Sequence, residues 1–126
     1  MATIITPGAL PAPSNIAGST VTGYGTAITG GTTGNVASLS LGPGTWMVAG
    51  SEQNSTALTA GEPTFLNSAS AVGSNTWPSQ SLFGSNGPGT VLSLVVLTVT
   101  TTVYLNVSPS ATDTYAGSIV AMKILP

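Results

Sequence analysis

The chain has 126 residues, 41% of them apolar and only 3% charged, with a formal net charge of −2 and a mean hydropathy of +0.42. Disorder goes with low hydrophobicity and high net charge, so this composition describes a chain that folds. One Lys and no Arg exclude phosphate neutralisation on nucleic acid and polybasic contact with a membrane surface.

At the N-terminus, residues 1–30 are rich in Pro, Gly, Thr and Ala. Pro7, Pro11 and Pro13 remove ladder donors and fix φ, which suits an extended arm better than a central strand. Ile4, Ile5, Leu10 and Ile16 are the apolar anchors such an arm would use for attachment; a terminus lying over its own sheet is the alternative. A basic n-region followed by an apolar run is missing from the first residues, so no signal peptide is expected.

From residue 35 a strand rhythm begins. Ala37, Leu39 and Leu41 alternate with Ser38 and Ser40, the pattern of a half-buried strand. Gly42-Pro43-Gly44 reads as a turn, and 45–51 as a second strand with Trp46 and Val48 on one face and Met47 and Ala49 on the other. Residues 52–62 read as a polar loop or short edge strand bounded by Glu52 and Glu62, both expected to be solvated. Residues 63–72 suggest a further strand, and 81–83 a short one inside the turn-rich stretch 73–89.

The run 90–107 is the longest stretch dominated by β-branched and large apolar residues, without charge, Gly or Pro. It is too long for one ordinary strand; the triplet Thr100-Thr101-Thr102 is where it should break. Before the break, Val91–Val99 is apolar on both faces. After it, Val103, Leu105 and Val107 alternate with Thr102, Tyr104 and Asn106. The recurrence of Thr and Ser and the β-branching favour buried sheet over a membrane span. A loop over 108–114 and a last strand over 115–125 complete the chain, with Val120, Met122 and Ile124 opposite Ile119, Ala121, Lys123 and Leu125. No window carries a capped 3.6-residue stripe, so almost no helix is expected. Seven or eight short strands between Gly/Pro turns predict an all-β chain, a β-sandwich or jelly roll over 31–126 behind an arm over 1–30.

Chemistry finds little footing. Without His or Cys, the Ser and Thr hydroxyls lack a conventional base. The three side-chain carboxylates, Glu52, Glu62 and Asp113, fall in separate segments. No enzyme, no metal and no cofactor are expected, although symmetry would turn a single axial Asp113 or Glu52 into an oxygen cage suited to Ca²⁺. Asn54 and Asn106 open short sequons that nothing else supports. Binding by shape is left. Trp46, Val95, Leu97, Val99 and Tyr104 are the candidate subunit contacts, because a surface of Ser, Thr and Asn repels identical copies weakly. Tyr24, Trp77 and Phe83, in or near turns, are candidate exposed anchors.

Three segments in this order, Leu39–Ser51, Thr100–Val107 and Ala116–Ile124, resemble the trimeric jelly rolls of the C1q and tumour-necrosis-factor type, above all those of bacteriophage capsid decoration proteins, head fibres and tail-fibre tips. The likeness covers about residues 35–126. It implies a C1q/TNF-like homotrimer on the outside of a virion, with the major capsid protein or another virion protein as partner. A fibre tip recognising host glycan is the alternative. No individual functional residue is implied, since such proteins work by surface and symmetry.

Overall fold

The computed structural model describes residues 16–18, 26–55, 63–82 and 89–126. Nine strands follow in order: β1 (Ile16–Gly18), β2 (Thr26–Ile28), β3 (Gly34–Leu41), β4 (Gly44–Asn54), β5 (Thr64–Asn67), β6 (Ser79–Leu82), β7 (Gly89–Leu97), β8 (Thr101–Val107) and β9 (Asp113–Leu125). The chain is all-β in two antiparallel sheets, with no helix among the described residues. The larger sheet runs β1-β9-β4-β7-β6, with β2 also paired to β9, and the smaller runs β3-β8-β5.

Period-2 patterning decides which side of each strand is buried. In β4, Trp46, Val48, Gly50 and Glu52 point between the sheets. In β7 Val91, Ser93, Val95 and Leu97 do so, and in β9 Tyr115, Gly117, Ile119 and Ala121. From the smaller sheet Val103, Leu105 and Val107 meet them, with Ile28, Val36, Leu41 and Leu66 completing the core. A bulge between Asn35 and Ala37 turns Val36 inward beside Ala37, the usual result of one extra residue in one strand. Glycines on the inner face let the sheets approach closely. A Cβ on Gly117 would lie 2.9 Å from the Val36 carbonyl oxygen, and one on Gly50 would lie 2.6 Å from Leu105 Cδ1.

Several expected boundaries move. The strand expected over 45–51 continues to Asn54, and Glu52 is buried rather than solvated, 3% exposed. Its alternation with Trp46, Val48 and Gly50 carries it inward, where Oε1 accepts the Gly89 N–H at 2.9 Å. The strand expected over 63–72 stops at Asn67. There Asn67 Oδ1 accepts the Ala69 N–H at 2.7 Å, and its Nδ2 donates to the Ser74 carbonyl at 2.9 Å. This Asx-type capture turns the chain out of the ladder, and Ala71 follows in the left-handed region with φ 59°. The break inside 90–107 comes at residues 98–100, between β7 and β8.

The arm segment is engaged with its own domain at two places. Ile16–Gly18 pairs with Val120–Met122, and Thr26–Ile28 pairs with Asp113–Tyr115. Ile28 is a core residue, 4% exposed. Ile4, Ile5 and Leu10 lie outside the described residues.

Candidate interaction surface

The two described acids, Glu52 and Asp113, are turned to internal work. Asp113 opens β9, where Oδ1 accepts from Ser55 Oγ at 2.6 Å and from the Thr114 N–H at 2.8 Å, and Oδ2 accepts from Asn54 Nδ2 at 3.2 Å. Both oxygens are thereby occupied and the residue is 8% exposed, an environment unlike a solvent-facing axial ligand. Glu62 lies outside the described residues. Among the described residues no three of His, Cys, Asp and Glu gather. Lys123 sits with Nζ 5.3 Å from the centre of the Trp46 ring, a cation–π contact. The Trp46 indole N–H donates to the Gly42 carbonyl at 3.0 Å, closing the β3–β4 turn.

The candidate contact residues divide between three environments. Trp46 and Val95 are buried in the core and Leu97 is nearly so, which leaves those side chains no surface to offer another copy. Tyr104 is half-buried on the outer side of the smaller sheet, paired with Ser38 and Asn67. Val99 is 65% exposed in the bend between β7 and β8. Trp77 packs partly against the core; Tyr24 and Phe83 lie outside the described residues. Ile16 stands exposed on β1.

What β7 offers to solvent is its other side. Leu92, Leu94 and Val96 project outward from the large sheet, and register joins them to outward side chains of β4, β9 and β1. Met47 lies opposite Leu94 on one side and Met122 on the other, and Met122 lies opposite Ile16. The next rung reads Leu92, Ala49, Val120. On the other side of the first, Val96, Thr45 and Leu125 form a third, with Ile124 bulged beside Leu125. Exposure of the large apolar side chains on this face runs from 38% for Met47 to 60% for Val96. Beyond Ala49 the face turns polar at Ser51, flanked by Thr90 and Ser118. The apolar half thus lies toward the β3–β4 turn and the end of β9, and none of its side chains is ionisable.

The sequence pattern contains this face, since 91–99 is apolar on both parities. What periodicity lacks is which parity points in. That is decided by Trp46 and Gly50 on β4, whose inward placement fixes the parity of both partner strands through the ladder. Comparison of the chain with known protein families, with curated proteins and with solved structures finds no match.

Proposed function

We propose that this chain is a structural, non-enzymatic subunit of a bacteriophage virion, a homotrimeric decoration protein of jelly-roll fold on the particle exterior. The observation that carries the reading is the charge-free apolar face on the outside of the larger sheet, in a chain whose Glu52 and Asp113 are buried and hydrogen-bonded within the domain. A surface of that kind suits association by area and shape rather than proton transfer.

The strand pairing supports the jelly roll. Early strands pair with late ones in nested antiparallel order, β1 and β2 with β9, β3 with β8 and β4 with β7, as when a long hairpin is wrapped into two sheets. One departure from that scheme is β6, which pairs with β7 rather than with β5. The three segments that carry the virion resemblance coincide with β4, β8 and β9, the central strands of the two sheets. Trp77, packed partly against the core, weighs against a glycan-binding fibre tip. In this reading attachment to the particle falls to residues 1–15, because 16–18 and 26–28 are already paired to β9.

The test is co-sedimentation with purified particles, paired with location of the chain in a density map of the intact virion. Threefold-related copies on the outer surface, released when residues 2–15 are deleted, are the expected result. A chain that stays in the supernatant with every particle tested overturns the reading.

A further inference from the structure

The geometry points to a neighbouring copy of this chain as the occupant of the outward face of β9-β4-β7, the apolar halves of the copies converging on the threefold axis of the proposed trimer. The inference rests on the self-association proposed above and says which surface performs it.

Area is the first argument. Nine large apolar side chains on this half, most of them near half exposed, leave about 800 Å² open, above the ~300–600 Å² of the largest patch on an ordinary monomer and equal to one partner's share of a standard interface. Charge is the second. Of the described charged residues, Glu52 and Asp113 face inward and Lys123 lies over Trp46, so two such faces meet with no like charges opposed. A membrane is a poorer fit, since the face carries no basic residue and no Trp or Tyr to sit at a headgroup boundary.

Met47 sits at the middle of the face, between Leu94 and Met122, and the chain has no native Cys. A Met47→Cys variant therefore reports on contact between copies against a clean background, with Ser40→Cys on the outside of the smaller sheet as control. The companion measurement is the mass of wild type and of Leu94→Asp by sedimentation velocity across a concentration series. Wild type should be oligomeric at micromolar concentration, and Met47→Cys should cross-link under mild oxidant while Ser40→Cys does not. Leu94→Asp should raise the dissociation concentration about thirtyfold or more, the effect of losing a central contact, with an unchanged β-sheet circular dichroism spectrum because the side chain points away from the core.

Cross-linking through Ser40→Cys alone, or an unaltered mass for Leu94→Asp, overturns this interface while leaving the virion reading intact. A monomeric wild type that floats with neutral phosphatidylcholine vesicles, or that oligomerises only after deletion of residues 2–15, overturns it in favour of lipid or of the chain's own N-terminal segment. Association through Met47 in a chain that binds no particle sinks the virion reading and keeps the interface.

Discussion

Replacing Asn106 by Ala should be among the costliest single polar deletions in this chain, although the residue lies on the outer side of the smaller sheet. Asn106 is fully buried because the loop after β5 folds over it. Its Nδ2 donates to the carbonyls of Ala69 at 3.0 Å and Val72 at 3.1 Å. Its Oδ1 accepts the Ala71 N–H at 3.2 Å and Asn35 Nδ2 at 3.3 Å. At about 1 kcal/mol net for each hydrogen bond the four sum to about 4 kcal/mol, and the exposed loop recovers some of this by rehydrating, so the expected loss is about 2–3 kcal/mol. Urea unfolding at one fixed protein concentration is the assay, since association would otherwise shift the midpoint. With an m-value of about 1.5–2 kcal/mol/M the midpoint falls by about 1–2 M. Asn106→Asp keeps the size but sets a carboxylate against two carbonyls, and should cost at least as much. A loss under about 0.5 kcal/mol for both variants would show that the loop holds its place without this side chain and refute the reasoning.

Two further outcomes separate other causes. Gly117→Ala should destabilise by about 2–3 kcal/mol, because the new methyl meets the Val36 main chain, which has no rotamer to yield. Gly31→Ala, at φ +78° with open space around it, should cost only the left-handed strain of about 1–2 kcal/mol; equal losses in the two would show that steric closeness of the sheets is not what Gly117 supplies. The dissociation constant of the proposed oligomer should not rise more than about threefold between ~0.05 and 1 M NaCl, since screening finds few charges to act on. Salt-driven dissociation, read by sedimentation, would count against an apolar interface.

Strand existence was legible because burial follows a two-residue period here. Trp46 and Val48 against Met47 and Ala49, and Val103, Leu105 and Val107 against Tyr104, already carry their facing in the residue types. Boundaries were less legible wherever a side chain captured backbone. Nothing in the run 63–72 says that Asn67 will bond Ala69 and Ser74 instead of extending the ladder, since that bond competes with a strand of nearly equal propensity. Glu52 was misread for the opposite reason. A carboxylate reads as surface by type, yet its place two residues after Gly50 on an unbroken strand takes it inward to the Gly89 N–H, and alternation overrode polarity.

The same competition governs the outward apolar face. A strand apolar on both parities, such as Val91–Leu97, can bury only one side in a two-sheet domain, and residue type leaves the choice between Val95 and Leu97 on one side and Leu94 and Val96 on the other nearly even. The decision comes from β4. Trp46 needs the interior to hold its indole N–H on Gly42, and Gly50 occupies the tight point opposite Leu105 and Leu66. Antiparallel register then passes the parity of β4 to β7 and β9 together. Once Trp46 is inside, Met47, Leu94 and Met122 must align outside. A one-residue slip of β7 would bury Leu94 and Val96, expose Val95 and Leu97, and carry Ser93 out of its bond to the Pro78 carbonyl at 3.0 Å. The outward apolar face is therefore a consequence of the packing that fixes the core.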